Sequence, residues 1–500
     1  MPGSRLRGVV ARLTPGGNLT ERAVKSGLWA SAITAGTRGL QLVTLVVVAG
    51  LLGPTALGLL GIALLTLAVL EVFSNLGMDA ALIQRREENV DAYLDTAWVL
   101  QVVRGVVLAG VAWVVAPHVA AFFGEPRSVD LVRAIGISPL LLGLRNPAVM
   151  YFQKNLEFHR QFVYQLSGAV VDVGVALVLA FATGSVWALV IGKLAGDATR
   201  TVVSYHIHDY RPSFRADVGK GRELFGYGKW IMGASVTAFL LGQGDDVFVG
   251  WFLGATALGL YQLAYRLANA PATEITKVIS STMFPTYSKL QDDLPAVRSA
   301  YFRVLQFTSF LTFPVSVGIL VTAPSFVAGF LGEEWLPMVP VLQVLTAWGL
   351  LLSVGANVGP LFRALGRPDL ETKVKLWKLV VVALLIYPAT DAYGVVGTAG
   401  AIIVASLLTS EPLANYWGLK LVDGTGRQFA RTLAYPTATS LAMGSVVYAV
   451  RESLTLAPAL EFVVLVVVGI GVYAAAVLVV DSTTDYDLRS VLALIRRNLA

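Results

Sequence analysis

The chain has 500 residues, of which 56% are hydrophobic and only 14% are charged. Soluble globular proteins carry about a quarter of charged residues, so this composition indicates a protein that faces lipid. The net charge of +6 is typical of basic loops beside a membrane, and no nucleic-acid partner is expected. The absence of cysteine excludes disulfides, thiolate metal ligands and cysteine nucleophiles, and the four histidines form no metal-binding pattern.

Long uncharged apolar runs along the chain predict membrane-spanning α-helices. A crossing helix needs about 20 mostly apolar residues, and only helices or closed barrels satisfy their backbone groups inside lipid. The runs are too long for barrel strands, so the predicted fold is an all-α integral membrane protein with about 14 transmembrane helices. The predicted spans are 27–51, 58–82, 95–116, 129–151, 163–183, 185–205, 229–251, 257–284, 301–323, 337–362, 375–391, 394–418, 432–450 and 460–480.

Lysine and arginine outside these spans lie almost entirely in alternate segments. One set of segments, which includes both ends of the chain, holds nearly all of them, whereas the opposite set holds only Arg127 and Arg451. Because cytoplasmic loops carry such an excess, we expect a multi-pass protein of the cytoplasmic (inner) cell membrane with both termini in the cytoplasm. No cleavable signal peptide is expected before the first span.

An internal repeat is visible in the turns between spans. Residues 52–59 return with small changes as residues 253–260, at an offset of 201 positions. Residues 116–125 match 323–333 in the same order and at nearly the same offset. The repeat predicts two six-helix lobes of parallel topology and a C-terminal helix pair. Transporters built from such repeats bind their substrate between the lobes.

The repeat and the charge pattern divide the chain into six predicted segments. They are a basic cytoplasmic N-terminus (1–26), an N-lobe with helices 1–6 (27–205), a cytoplasmic linker (206–228), a C-lobe with helices 7–12 (229–418), helices 13 and 14 (432–480) and a cytoplasmic tail (481–500).

Three stretches of the sequence resemble one known family. Residues 52–54 with Gly58, residues 75–84 at the end of the second span, and residues 261–293 are similar to signatures of the Wzx-type polysaccharide and lipopolysaccharide exporters. These oligosaccharide flippases belong to the multidrug/oligosaccharidyl-lipid/polysaccharide (MOP) superfamily. The resemblance implies two six-helix lobes around a central cavity and outward transport of a lipid-linked sugar.

Basic residues inside the predicted spans are the candidates for substrate binding. A charge at the bilayer centre costs about 2.5–3.5 kcal/mol, so these side chains must face the interior, pair with an acid or reach the interface. Arg38 and Arg266 are the first candidates, one in each lobe, and Arg104 and Arg145 follow. A guanidinium matches phosphate oxygens bidentately and could hold a lipid pyrophosphate. Alternatively, each arginine pairs with an acid to lock helices together.

The acidic residues of the spans give two further predictions. Lys193, Asp197 and Arg200 have the spacing of neighbours on one helix, which favours a structural ion cluster. Asp172 and Asp245 are the candidates for coupling transport to H⁺ or Na⁺, although Asp172 could instead pair with a base on another helix. No other cofactor and no metal are expected.

The leading functional prediction is a flippase that moves a polyprenyl- or dolichyl-linked oligosaccharide from the inner to the outer leaflet by alternating access. Its expected partners are this substrate, the bilayer and polysaccharide-assembly proteins. An ion-coupled multidrug or cation antiporter of the same superfamily is the second prediction. A membrane enzyme is disfavoured because the segments between spans are too short for a catalytic domain. The sequence also allows a non-transporting scaffold in polysaccharide assembly.

Overall fold

The computed structural model describes residues 19–74, 91–155, 157–215 and 217–483, and every regular element in these ranges is helical. The prediction of an all-α membrane protein is therefore confirmed. The first compact unit comprises residues 1–259 and the second residues 260–500. The predicted boundaries of lobes, linker and tails remain a prediction.

Nine helices begin among the described residues of the first unit. They are α1 (Leu19–Phe73), α2 (Asp91–Phe122), α3 (Ser128–Ile135), α4 (Ser138–Gly143), α5 (Tyr151–Lys154), α6 (Phe158–Thr183), α7 (Trp187–Ile207), α8 (Val218–Leu253) and α9 (Ala255–Leu290), with a 3₁₀ turn at Pro147–Met150. Within this unit α1 packs against α3, α6 and α8, and α6 packs along α7.

The second unit continues with seven helices up to residue 483, where the described part of the chain ends. They are α10 (Leu294–Phe326), α11 (Met338–Gly355), α12 (Val358–Ala364), α13 (Pro368–Ala405), α14 (Glu411–Leu421), α15 (Gly426–Ser453) and α16 (Pro458–Thr483), with π-helical turns at Val327–Leu331 and Ser406–Ser410 and a 3₁₀ turn at Glu333–Trp335. The final pair, α15 and α16, packs on α10.

Eight helices of the described residues are long and apolar enough to cross a membrane by length and composition. Two of these stretches, Ala32–Ser74 and Pro368–Leu421, far exceed the length of one crossing and are broken at Gly53 and Gly394. Each therefore accounts for two predicted spans. The less uniformly apolar α7, α8 and α9 correspond to three more.

The predicted span 129–151 is wrong as a continuous helix, because the chain there forms the short α3 and α4 followed by a 3₁₀ turn. Pro139 lacks a backbone donor and interrupts the helical hydrogen bonds. Both pieces lie very close to α2. A Cβ on Gly105 would lie 2.8 Å from the Pro139 carbonyl oxygen, and one on Gly143 would lie 2.6 Å from that of Gln101. Small residues permit this close helix packing.

Glycines with positive φ recur at the offset of the sequence repeat. Six of the seven such glycines among the described residues form three pairs at offsets of 201, 208 and 210 positions, namely Gly53 and Gly254, Gly124 and Gly332, and Gly184 and Gly394. The first two pairs lie in the turns identified from sequence, and the third extends the repeat to the hairpins formed by α6–α7 and by the two halves of α13. The backbone therefore follows the internal repeat along both copies.

The two copies of the first repeat turn contact each other, and the contact itself is nearly symmetric. A Cβ on Gly58 would lie 1.7 Å from the carbonyl oxygen of Ala255, and one on Gly259 would lie 2.0 Å from that of Pro54. Pro54 and Ala255 occupy equivalent positions of the repeat, as do the two glycines. The hydroxyls of Thr55 and Thr256, also equivalent, lie 2.8 Å apart. Backbone meets backbone here, so only glycine fits at these two positions.

We expect Gly58→Ala to lower the free energy of unfolding by about 1–3 kcal/mol, the usual cost of overpacking. Neighbouring backbone cannot move aside as a flexible side chain would. Tryptophan fluorescence during thermal unfolding of the detergent-purified protein measures the effect. Gly39→Ala is the matched control, because it lies on the same helix and its Cβ would meet nothing within 4 Å. Equal stability of the two variants would contradict the contact.

Candidate functional site: charged residues in the membrane helices

The two leading arginine candidates lie on α1 and α9. Arg38 belongs to α1, but its side chain is outside the part of the structure that is described. Arg266 is exposed on α9, one residue after Tyr265, whose ring packs 5.6 Å from that of Trp348 on α11. Asn269 on the same helix is buried and donates to the Tyr265 carbonyl at 3.1 Å. Arg266 thus stands on a helix surface whose neighbouring residues are firmly packed.

Arg104 on α2 binds the end of α1. Its Nε donates to the Ser74 hydroxyl at 3.0 Å, and its Nη2 donates to the Glu71 carbonyl at 3.3 Å. A cation at a helix C-terminus is favoured by the helix dipole and by the unpaired carbonyls there. These contacts give Arg104 a role in joining α2 to α1.

Arg145 is half-buried in the turn after α4. The backbone on both sides of it is held by α7, because the Leu144 carbonyl accepts from the Tyr205 hydroxyl at 2.8 Å and the Asn146 amide donates to Ser204 at 2.9 Å. The position of Arg145 is therefore fixed by α7.

The predicted ion cluster on α7 is present in the structure. Asp197 has no exposed surface, and its carboxylate accepts from Lys193 Nζ at 3.1 Å and from Arg200 Nη1 at 2.8 Å. The Ser138 hydroxyl of α4 donates to the same carboxylate at 2.5 Å. Lys193 and Ser138 donate to Oδ2 and Arg200 donates to Oδ1, so both carboxylate oxygens have donors. Asp197 is therefore a structural acid that joins α4 to α7.

Asp172 lies beside this cluster on α6. A Cβ on Gly196 would lie 2.7 Å from the Asp172 Cβ, and one on Gly192 would lie 2.7 Å from the Asp172 carbonyl oxygen. The two glycines of α7 bring α6 close enough for Asp172 to interact electrostatically with Lys193 and Arg200. Asp172 has no basic neighbour on its own helix, and the basic residues that act on it belong to α7.

The structure joins two of the predicted candidates into one electrostatic cluster. The Glu71 side chain interacts with the charges of both Lys193 and Arg104, which connects the α1–α2 contact to the α7 cluster. Arg104 and Asp172 therefore belong to one network of the first unit. Asp245 is half-buried on α8, which packs against α1 and α2. The roles predicted for these residues in binding and coupling remain predictions.

One charged residue that the sequence reasoning missed is Glu411, at the start of α14 in the second unit. It is half-buried, directly follows the π-helical turn Ser406–Ser410, and interacts electrostatically with Lys378 of α13. A lone acid before a proline in the long apolar run that includes residues 398–408 was the available signal. Turns of this kind inside α-helices often mark functional sites.

Comparisons with known proteins agree with the fold. The chain is 27% identical to the lipopolysaccharide biosynthesis protein WzxC of Escherichia coli over 86% of this chain and 88% of that protein. It is 21% identical to the probable low-salt glycan biosynthesis flippase Agl15 of Haloferax volcanii over 91% and 96% of the two chains.

A solved structure of the lipid II flippase MurJ in an inward closed conformation has the same fold. The TM-score is 0.74 with 16% sequence identity, and the match covers 90% of this chain and 97% of MurJ. The residues 75–84 that carry part of the family resemblance lie outside the described ranges. The profile of the polysaccharide biosynthesis proteins matches residues 47–340, more than half of the chain. The chain therefore belongs to the polysaccharide biosynthesis protein family, which confirms its predicted place among the Wzx-type exporters.

Proposed function

We propose that this protein is a flippase that moves a lipid-linked oligosaccharide from the inner to the outer leaflet of the cytoplasmic membrane by alternating access. Its relatives WzxC and Agl15 are named for lipopolysaccharide and glycan biosynthesis, and the fold is that of a lipid II flippase. The lipid carrier is a polyprenyl or dolichyl (pyro)phosphate. The protein acts as a transporter and not as an enzyme.

The observation that carries this proposal is the exposure of Arg266 well inside α9. A guanidinium at membrane depth is costly against lipid, so its exposed surface fits an aqueous cavity. The neighbouring Tyr265 and Trp348 fix the helix at that level. A fixed cation in a cavity suits an anionic headgroup.

The chemistry of the ligand follows from the chemistry of the side chain. A pyrophosphate offers several oxygens that a guanidinium fork can bind bidentately, and such charge-assisted bonds are stronger than neutral ones. The lipid tail would stay in the bilayer while the headgroup and sugar occupy the cavity. Arg38, in the first unit, stays a second candidate cation for the same headgroup chemistry.

The proposed sidedness follows from the distribution of lysine and arginine between the spans. Both termini lie in the cytoplasm in this proposal, because the segments on their side of the membrane carry the positive excess. The proposed inner-to-outer direction is that of the exporter family. A multidrug or cation antiporter is the alternative, and it predicts exchange of cations instead of glycolipid.

We expect Arg266→Ala to reduce translocation of a fluorescent lipid-linked oligosaccharide in proteoliposomes about ten- to a hundredfold. The loss of charged hydrogen bonds to a substrate, about 1.5–3 kcal/mol, corresponds to this range. Arg38→Ala should act in the same direction. Arg266→Lys keeps the charge without the fork, so it should recover only part of the rate.

Arg127→Ala is the control, because this exposed arginine forms a surface ion pair with Glu125 at 3.0 Å. Its rate should equal that of the wild type. Full activity of Arg266→Ala would contradict the proposed cationic site. If the wild type moves no glycolipid but exchanges cations or drugs, the antiporter proposal is correct and the flippase proposal is wrong.

A further inference from the structure

The helix geometry before Glu411 is irregular and is held in place from α11. The π-helical turn Ser406–Ser410 interrupts the α-helical bonding between α13 and α14. The Trp348 Nε1 of α11 donates to the Ser406 hydroxyl at 3.1 Å, and both residues are buried. This bond fixes the turn and so fixes the position from which the Glu411 side chain leaves the helix.

The Glu411 carboxyl occupies space that a glycine provides. A Cβ on Gly355, the last residue of α11, would lie 3.0 Å from Oε1 and 3.2 Å from Oε2. The Asn415 side-chain amide donates to the Glu411 backbone carbonyl at 2.8 Å. The carboxyl is therefore aimed between α11 and α14, and its helix is braced one turn further on.

The cation that acts on this carboxyl is Lys378 of α13. Its ammonium lies 4.9 Å from the centre of the Trp348 ring, in a cation–π contact. Trp348 thus holds both the lysine, through its ring face, and the π-helical turn, through its indole N–H.

Two buried tyrosines belong to the surroundings of Glu411. Tyr301 of α10 and Tyr287 of α9 are fully buried, and neither hydroxyl has a hydrogen-bond partner among the described residues. Tyr301 interacts electrostatically with both Tyr287 and Glu411. A buried unsatisfied hydroxyl is costly and calls for an explanation. If Glu411 is charged during only part of the transport cycle, its carboxylate gives the Tyr301 hydroxyl a hydrogen-bond acceptor during that part.

A proton fits this arrangement better than a metal ion does. Cations such as Ca²⁺ are bound by six or more oxygen ligands, whereas the described residues contain no cluster of three acidic or histidine side chains. The nearby ammonium of Lys378 would also repel a metal ion. A proton needs one carboxyl, and its uptake removes the cost of holding a charged carboxylate away from water.

We propose that Glu411 is a proton-binding site and that its loading and release couple translocation to the proton gradient. The coupling rests on the proposed flippase function, whereas proton binding does not. Water delivers the proton to a carboxylate oxygen, which leaves Lys378 on the Trp348 ring. Release of the proton returns a carboxylate that draws Lys378 and accepts from Tyr301. The two arrangements give α11, α13 and α14 two alternative sets of contacts.

Infrared difference spectroscopy of the purified protein, titrated with acid, tests proton binding without any substrate. Subtraction of the Glu411→Gln spectrum from that of the wild type should leave one protonated-carboxyl C=O band that titrates, because the other acidic side chains contribute equally to both. Glu461→Gln is the matched control, because Glu461 is also half-buried in the second unit but accepts from Ser325 at 2.5 Å. The absence of this difference band, or its removal by sodium at constant pH, would overturn the proton site.

Proteoliposomes with an imposed pH gradient test the coupling. If one proton moves per cycle, a gradient of about one pH unit changes the accumulation of glycolipid about tenfold. Wild type and Glu461→Gln should show this response, and Glu411→Gln should lose it. A full gradient response in Glu411→Gln would overturn the coupling. If wild type moves no glycolipid while the infrared band still depends on Glu411, the flippase proposal fails and the proton site stands.

Discussion

Oxidation of a Thr55→Cys/Thr256→Cys variant is expected to stop translocation completely, and a reductant is expected to restore it. The two hydroxyl oxygens lie 2.8 Å apart, and a disulfide joins sulfurs about 2.05 Å apart with Cβ atoms about 3.5–4.5 Å apart. Small shifts of two side chains suffice to form the bond. The chain has no other cysteine, so this pair is the only one that can oxidise.

The expected block follows from the symmetry of the contact. Equivalent turns of the two repeats meet here, with Gly58 and Gly259 against each other's backbone. In transporters built from repeats, one repeat rocks against the other around the substrate site. We expect the two turns to part during transport, so a covalent bond between them should hold the protein in one arrangement. Transport that needs both arrangements therefore stops.

A second pair of threonines supplies the matched control. The hydroxyls of Thr390 and Thr398 also lie 2.8 Å apart, but both belong to the hairpin that α13 forms around Gly394. We expect that hairpin to move as one body, so a disulfide in Thr390→Cys/Thr398→Cys should leave transport intact. A gel shift with a bulky maleimide counts the free thiols in each variant. Full transport by a completely cross-linked Thr55→Cys/Thr256→Cys protein would show that the turns never part.

The helices could be predicted from the sequence because each depends on a local property. Most of the long apolar runs form helices long enough to cross a membrane. Lys193, Asp197 and Arg200 are neighbours through the geometry of one helix. The repeat of residues 52–59 was readable for the same reason. Its detection required only a comparison of the two halves of the same sequence.

The partners between helices could not be predicted, because packing decides them. Arg104 reaches Ser74, which lies 30 positions earlier, and Asp172 meets Lys193 because glycines on α7 allow close approach. The break within 129–151 is due to Pro139, whereas the close packing of α3 and α4 against α2 depends on Gly105 and Gly143. The sequence showed Glu411 as a lone acid in an apolar run, but apolar periodicity did not reveal the π-helical turn before it.

We expect Asp197→Ala to destabilise the protein by about 3–5 kcal/mol, because removal of one partner from a buried ion pair leaves an uncompensated charge. Lys193 and Arg200 both lose their acceptor, and the Ser138 hydroxyl loses its acceptor as well. Arg200 cannot easily turn away, because its side chain packs closely against Gly168 of α6: a Cβ there would lie 2.4 Å from Arg200 Cγ.

Thermal unfolding and amide hydrogen exchange of the purified variants measure this loss. Asp130→Ala is the matched control, because Asp130 pairs with Arg133 at the same i,i+3 spacing as Asp197 with Arg200, at 3.4 Å, but is largely exposed. Exposed pairs contribute little, so this variant should unfold like the wild type. Asp197→Asn retains acceptors without the charge and should fall between the two. If Asp197→Ala were as stable as Asp130→Ala, the charge on Asp197 would not hold α4 to α7, and the α7 cluster would instead be available to an anionic substrate.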